Sequence, residues 1–420
     1  MSTENQARPA GLPHAVFLQR VADEPATSPE VRLGQGAFLA LRFVDLLATD
    51  REAPTPDVFR YQWAATERYC AELAGEGTEA AHLSGIVRAT GEAHRTHEVQ
   101  LIAPALLAYG HYLEQETHLQ EAEDALQTLI YVGGNRLSAK DAIAARMRLG
   151  RVRRIQADFS GANAAYSDAG LIAAASGDQP SVLFSRIGHC NVAYFQGNLA
   201  AAEEGWRSVL ADAAAGGFQA AEAQAEHGLG NALQRRGQGH EGAPHLWRAY
   251  ELYEDDAAQL RVLNDLGIVM LSLGDVEGAE RALSEVARRD RAGENRTNSL
   301  IELMQCASFR RDRVGFERWR ERCLEHLEGM FPNIRADYYL KVGIGFARFG
   351  NHPKADSNVR RALEIASAHG LHELVFRIER IRDGLQVCLA PDDVEGRTVE
   401  PVVWTEALRE VSASLATLGG

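Results

Sequence analysis

The chain has 420 residues, of which 45% are hydrophobic and only 7% aromatic, and its formal net charge is −14. Ala and Leu dominate while runs of strand-forming residues are nearly absent, which favours helix, because unbranched side chains lose little rotamer freedom there. The negative charge argues against direct binding of nucleic acid, which needs a basic surface. No apolar run approaches the roughly 20 residues that span a bilayer, and the amino terminus lacks a signal-peptide pattern, so we expect no membrane partner.

The cysteines indicate a reducing compartment. They lie far apart in sequence and form no CxxC pair, so the chain has no zinc-knuckle or thioredoxin-like motif. Their odd number argues against a complete disulfide framework. We therefore expect a cytoplasmic protein. The five cysteines are Cys70, Cys190, Cys306, Cys323 and Cys388.

The first quarter of the chain is less regular than the rest. We expect residues 1–12 to be disordered and residues 13–95 to form an amino-terminal helical region. Ser28 is a favourable N-cap and Pro29 suits the first helical position, so a long solitary helix begins there. A hairpin that is a degenerate repeat follows, at residues 56–75 and 78–95.

A pattern of small residues then recurs every 37–40 residues. Its clearest copy is "LNDLGIVMLSLGDVEGAERAL", with Gly267, Gly274, Ala279 and Leu283 in that order. So regular a period indicates a repeat architecture. The first position of each copy, the anchor, is glycine in most copies, Cys190 in one and Met304 in a weaker one. The anchors stand at positions 110, 150, 190, 230, 267, 304 and 343.

One unit of this pattern predicts a helical hairpin. The anchor lets two helices approach closely, and Gly274 with the following Asp275 ends the first helix and turns the chain. Ala279 is the small residue of the second helix where it crosses the first. The large residue four positions later, here Leu283, packs between hairpins. One hairpin cannot bury its apolar face alone, so neighbouring hairpins must stack.

The small, small, Ala, large and Ala positions resemble the tetratricopeptide (TPR) repeat family. The period near 40 is similar to the longer-helix variants of kinesin light chains and Rap-type peptide-sensing regulators. This resemblance implies an all-α fold, a right-handed α-solenoid of stacked antiparallel helical hairpins (a TPR-like superhelix), with seven repeats over residues 96–388. The family's Trp near the start of the first helix and its Pro after the second are largely missing.

The end of the chain departs from the repeat. Residues 389–403 are polar and contain prolines, which predicts a linker. The final segment, 404–420, is amphipathic, and we expect it to form a helix that caps the exposed apolar end of the stack.

Catalytic and metal-binding motifs are not recognisable. The glycines of "GIVMLSLGD" lie within helical periodicity and lack the Lys-Ser/Thr of a phosphate loop. His94 and His97 have no third ligand at a known spacing, so a surface helix end is the favoured interpretation. We expect no enzyme activity, no cofactor and no metal.

Binding residues follow from the resemblance. In TPR-like arrays, certain positions of each first helix line a groove, and amides there can pair with a peptide backbone of any sequence. Arginines would bind acidic side chains or a terminal carboxylate, and aromatic residues would anchor the segment. The alternative is that the amides bond to neighbouring helices. The resulting candidate residues are Arg151, Arg154, Asn191, Tyr194, Phe195, His227, Asn231, Gln234, Arg235, Asn264, Asn298 and Gln305.

The sequence leaves two functions open. The first is a non-catalytic scaffold or adaptor that holds a protein or peptide segment, with acidic segments favoured by the arginines. The second is a Rap-type, peptide- or ligand-responsive regulator of a partner protein or of transcription. Binding of chaperone tails is not supported, because Gly228 and Asp265 stand where that clamp has Asn. The oligomeric state is open, with a homodimer among the alternatives.

Overall fold

A computed structural model describes residues 12–21, 28–49, 54–290, 293–386 and 404–418. The described residues form α-helices joined by short turns and 3₁₀ segments, without β-strands. The helices are α1 (Ala15–Leu18), α2 (Pro29–Val44), α3 (Pro56–Glu72), α4 (Thr78–Thr96), α5 (Ala103–Gln115), α6 (Leu119–Gly133), α7 (Ala139–Ile155), α8 (Phe159–Ser176), α9 (Gln179–Phe195), α10 (Leu199–Gly216), α11 (Gln219–Arg235), α12 (Gly239–Leu252), α13 (Asp256–Ser272), α14 (Val276–Arg289), α15 (Glu294–Phe309), α16 (Arg313–Leu324), α17 (Pro332–Arg348), α18 (His352–Ala368), α19 (His372–Gln386) and α20 (Glu406–Thr417).

The chain divides into two compact units, residues 1–205 and 206–420, with the boundary inside α10. In each unit, consecutive helices pack against one another in sequence order. Unit 1 contains the hairpins α3/α4, α5/α6 and α7/α8, followed by α9. Unit 2 contains α11/α12, α13/α14, α15/α16 and α17/α18. The predicted all-α architecture of stacked helical hairpins is confirmed.

In unit 1, aromatic packing draws the hairpins together. A Cβ atom added to the anchor Gly150 on α7 would lie 2.7 Å from Cε1 of Tyr166 on α8. The same ring lies against Gly188 of α9, where an added Cβ would also come within 2.5 Å of it. Tyr166 is only 3% exposed. Its ring therefore fills the space between one hairpin and the next, which requires glycine at both contacts.

In unit 2, the α13/α14 hairpin has the predicted small-residue crossing. A Cβ at Gly267 would lie 2.7 Å from Cγ of Leu283, so the anchor must be glycine for the helices to keep this separation. Gly274 ends the turn region with a φ of 81°, a backbone conformation that side chains disfavour. The Asp275 carboxylate then accepts a hydrogen bond from the Gly278 backbone N–H at 2.8 Å and caps α14.

The carboxy-terminal helix α20 does not lie where the cap was predicted. It packs on α12 and α14, so it covers the middle of unit 2 instead of the end of the stack. Its buried side chains Leu408, Val411 and Leu415 lie three and four residues apart, on one helix face, and join the core of these helices. Ser412 adds a hydrogen bond of 2.8 Å to Asp275.

Some predictions fall outside the described residues. These are the disorder of the amino terminus, apart from Leu12, and the linker at residues 389–403. None of the helices in the described ranges has both the length and the apolar character needed to cross a membrane.

Candidate functional site

The candidate residues lie on the first helices of the hairpins. Within unit 1, α5, α7 and α9 lie side by side, and within unit 2, so do α11, α13, α15 and α17. We call the side chains that these neighbouring helices present next to one another the first-helix face of each unit. The two faces differ in how their polar groups are paired.

In unit 1, one buried carboxylate holds two arginines. Glu114 of α5 has a side chain that is only 3% exposed, and its Oε2 atom accepts a hydrogen bond from Arg148 at 2.8 Å. Its Oε1 atom accepts from Nε of Arg151, one helical turn further along α7. Arg148 also lies 2.8 Å from Nδ1 of His111. The single negative charge of Glu114 therefore faces two positive charges.

Arg154 lies one more turn along α7 and is paired differently. Its guanidinium stands over the Phe195 ring of α9, 4.2 Å from the ring centroid, which is a cation–π contact. Its Nε atom is buried and has no hydrogen-bond partner among the described residues. No carboxylate in the described ranges forms an ion pair with it. Burial lowers the pKa of Arg154, but an arginine remains charged at any physiological pH.

An aromatic pair continues the face on α9. The rings of Tyr194 and Phe195 meet edge to face with centroids 5.4 Å apart. Phe195 is 44% exposed although it is a large apolar side chain. Asn191, one turn earlier on the same helix, is half-buried. The face of unit 1 thus combines an exposed ring, an amide and a guanidinium whose Nε–H has no described partner, although the same guanidinium interacts with the Tyr166 hydroxyl.

In unit 2, the polar groups of α11 are held by α13. Asp265 Oδ2 lies 2.8 Å from Nε2 of His227 and accepts a hydrogen bond of 3.0 Å from Nδ2 of Asn231. The other ring nitrogen of His227 lies 3.4 Å from the Tyr253 hydroxyl. Gln234 donates to the Ser272 hydroxyl at 3.1 Å. These side chains join neighbouring helices, which is the alternative that the sequence left open for the amides.

Gln305 of α15 is likewise bonded to a neighbouring helix. It is 2% exposed, and it donates to the Lys341 backbone carbonyl at 2.8 Å. Its side-chain oxygen accepts a hydrogen bond of 2.7 Å from Arg348 of α17. Arg348 is itself buried, bonds to the Ser308 hydroxyl at 2.7 Å and stands 4.0 Å from the centroid of Phe309.

Lys341 supplies a second charged connection between α15 and α17. It forms ion pairs with Glu302 and, at 2.7 Å, with Asp337. Burial alone would lower the pKa of Lys341, but the two carboxylates outweigh it and the pKa is raised. The charged form is therefore the stable one, and the network is structural.

The remaining predicted residues are dispersed. Asn264 of α13 is 7% exposed, and its Oδ1 atom has no hydrogen-bond partner within the described part of the chain. Asn298 is half-buried on α15, and Arg235 is exposed at the last residue of α11. Asn264 is thus enclosed by its own unit and is not exposed on the surface.

Sequence reasoning missed Arg148, Asp265 and Arg348. Arg148 lies one turn before Arg151, so helical spacing alone could have added it. In the sequence, Asp265 differs from the Asn of the chaperone clamp but shows no sign of its bonds to α11, and no pattern links Arg348 to Gln305, 43 residues away. Among the described residues, no group of three His, Cys, Asp or Glu side chains is arranged to hold a metal ion.

No protein-family model and no curated protein sequence matches the chain. Among solved structures, it is similar to the apo form of RapI, with a TM-score of 0.50 and 11% identity over 80% of this chain and 96% of that one. It is also similar to the apo form of the quorum sensor NprR from B. thuringiensis (TM-score 0.47, 11% identity, 78% of this chain and 97% of that one). A third similar structure is the Rap conjugation gene regulator of the plasmid pLS20 in complex with the Phr* peptide (TM-score 0.47, 11% identity, 92% and 98%). At this identity the likeness to RapI bears on the fold alone, and the chain has a TPR-like helical-repeat fold of that kind.

Proposed function

We propose that the protein is a non-catalytic binding module that holds an acidic protein or peptide segment on the first-helix face of unit 1. The observation that carries this proposal is Arg154. Its guanidinium stands over an exposed aromatic ring, its Nε atom is buried without a partner, and no described carboxylate pairs with it. The guanidinium also interacts with the Tyr166 hydroxyl, but the residue as a whole is only half-buried. A ligand carboxylate that reaches its remaining N–H groups would gain a charge-assisted hydrogen bond.

The surrounding charges favour the same ligand. Arg148, Arg151 and Arg154 occupy successive turns of α7, and Glu114 is the carboxylate bonded to the first two. The face therefore keeps an excess of positive charge although the whole chain is acidic. A local excess of this kind attracts a segment of opposite charge and disfavours basic ones.

The neighbouring side chains add apolar and backbone contacts. Phe195 offers an exposed ring to an apolar residue of the ligand, and rings at the centre of an interface contribute much of its binding energy. Asn191 carries both a donor and an acceptor, which suits a peptide backbone. The ligand that fits best has an acidic group next to an apolar side chain.

The test uses an array of short random peptides, each printed in two versions that differ only in Asp/Glu against Asn/Gln. Purified full-length protein should bind the acidic versions preferentially. Arg154→Gln should weaken that binding about 10- to 100-fold, because it removes a charge-assisted hydrogen bond worth about 1.5–3 kcal/mol. Added salt should weaken the wild-type interaction as well, since partly exposed charges are screened.

Arg60→Gln is the matched control. Arg60 belongs to the same unit, and its side chain is 74% exposed in an ion pair with Asp57 on α3. This variant should bind as the wild type does. Equal binding of both peptide versions by the wild type, or equal loss in both variants, would refute the assignment.

The alternative function, a peptide-responsive regulator, needs binding to change the conformation as well. Small-angle scattering of the full-length protein with the tightest acidic peptide from the array distinguishes the two. A changed scattering curve supports regulation, whereas an unchanged curve with the site saturated supports a static scaffold.

A further inference from the structure

A short amino-terminal segment, residues 12–21, lies across unit 1, and we call it the strap. It consists of α1 and a 3₁₀ turn, and it packs on α2 and α6. Phe17 is fully buried and stacks with Tyr109, with ring centroids 6.3 Å apart. The strap crosses α2 at Gly34, where an added Cβ would lie 2.6 Å from the Phe17 carbonyl oxygen. Its packing is therefore specific to this position.

The strap places two cationic side chains on a surface lined by carboxylates. Arg20 bonds to Glu79 of α4 at 2.9 and 3.2 Å, and its Nε bonds to Glu121 of α6 at 2.8 Å. Glu79 also accepts a hydrogen bond of 2.8 Å from the Tyr109 hydroxyl. Both carboxylates are about 95% buried, at 4% and 5% exposure. The strap thus supplies positive charge to buried carboxylates of two different helices.

His14 forms the second connection and can change its charge. Its Nδ1 atom lies 2.5 Å from Asp124 of α6, and its Nε2 atom lies 3.3 Å from Asp45, which directly follows α2. His14 is 2% exposed and Asp45 is fully buried. A neutral imidazole has one N–H and can donate to only one of these carboxylates, whereas the protonated ring donates to both. The geometry therefore favours protonated His14.

The electrostatics agree with this geometry. Burial by itself lowers the pKa of His14, but the hydrogen bonds and charges of Asp124 and Asp45 outweigh it, so the pKa is raised above 6.5. Among the described residues, the charged groups that face the ring include these two carboxylates, one following α2 and one from α6. A raised pKa means that the stabilisation is complete below about pH 6.5 and is lost as the pH rises through the raised value.

We propose that residues 12–21 are a releasable strap, docked while His14 bridges Asp45 and Asp124 as an imidazolium and freed from unit 1 when that proton leaves. The strap is short, and Phe17 is its one fully buried large apolar side chain in the described range 12–20. Segments with few buried apolar contacts open locally at low free energy. Loss of the positive charge on His14 is therefore expected to open the strap at a lower free energy than it would open the helices beneath.

The test is amide hydrogen exchange of the full-length protein, read by mass spectrometry on peptides that cover the strap. After correction for the intrinsic pH dependence of exchange, strap opening should increase by up to about tenfold per pH unit between about pH 6.5 and the raised pKa of His14. His14→Gln should exchange faster than wild type at about pH 6 and lose most of the pH dependence. Peptides from α7 and α8 should show no such change.

Two further variants test whether the pH dependence comes from His14 and its facing carboxylates. His369→Gln removes an exposed histidine of unit 2 and should leave the pH profile of the strap unchanged. Asp124→Asn keeps the shape of the side chain but removes one facing charge, and it should shift the opening to lower pH. A strap with the same corrected exchange at every pH, or one whose pH profile survives His14→Gln, would overturn the proposal.

Discussion

The first-helix faces of the two units are built from the same repeat but use their polar residues differently. In unit 2, Asp265 bonds to His227 and Asn231, and Gln305 bonds to Arg348. These polar groups therefore join one helix to the next. In unit 1, Glu114 bonds to Arg148 and Arg151, but the next arginine along α7 contacts a ring and no described carboxylate.

The difference shows why a polar residue at a groove position is not by itself evidence for binding. An amide or arginine that already bonds to a neighbouring helix must break that bond before it binds a ligand, so most of the gain is cancelled. Arg154 has an Nε–H without a described partner and no described carboxylate bonded to it, so it loses less on binding a ligand. The comparison therefore predicts that substitutions in unit 2 alter stability and that substitutions in unit 1 alter binding.

The largest effect is expected at Gln305. Gln305→Leu keeps a similar volume but removes one of the acceptors of the buried Arg348, and we expect the free energy of unfolding to fall by about 2–3 kcal/mol. Urea denaturation of the full-length protein measures it, with hydrogen exchange of α15 and α17 locating the loss. Gln234→Leu is the matched control, because its bond to Ser272 is between neutral, half-buried groups, and it should cost less than about 1 kcal/mol. A similar loss of unfolding free energy in both variants would contradict the expectation that the buried bond to Arg348 contributes more than the bond to Ser272.

A smaller effect is expected at Asp265. Asp265→Asn removes the charge that pairs with His227 while keeping one oxygen as an acceptor, and it should lower the free energy of unfolding by about 1–1.5 kcal/mol. The affinity for the acidic peptides of the array should not change. If this variant weakened peptide binding as much as Arg154→Gln does, the binding face would have to be reassigned to unit 2.

The smallest effect, with the opposite sign for binding, is expected at Glu114. Glu114→Gln frees Arg148 and Arg151 from their shared carboxylate, so the affinity of unit 1 for acidic peptides should increase about threefold to fivefold, or roughly 0.6–1 kcal/mol. Fluorescence anisotropy at two salt concentrations measures it, and the salt dependence should become steeper. Unchanged or weaker binding by a variant that remains folded would mean that these arginines do not contribute to the site.

Much of the fold could be predicted because its signals are local and periodic. Gly267 and Leu283 mark the crossing of a hairpin, and Ser28 with Pro29 marks the start of α2, whose N-cap bond to Val31 measures 3.2 Å. Such features depend on residues a few turns apart. The likeness to TPR repeats is confirmed at the level of the fold.

The position of α20 was not predictable from the same signals. Leu408, Val411 and Leu415 show that this helix has an apolar face, but periodicity does not say which surface will cover it. A cap at the end of the stack and a site on α12 and α14 both bury these residues. The contacts of the folded chain place it on α12 and α14.

The candidate site was predicted only as a set of positions. The sequence indicated which residues belong to first helices, and Arg154 and Phe195 were among them. It did not indicate that these two contact each other across α7 and α9, since that depends on the offset between helices of different hairpins. Nor did it show that the amides of unit 2 are already bonded.

By itself, then, the sequence determined the helices, their hairpins and the small residues at their crossings, because chain-local geometry sets the spacing of those residues. The tertiary structure decided which charges meet. Arg154 lacks a described carboxylate partner, Arg348 bonds to Gln305, and His14 reaches Asp124 over 110 positions of sequence. Hydrogen bonds and ion pairs depend on distances of a few ångström between side chains, and these are fixed only when the helices have packed.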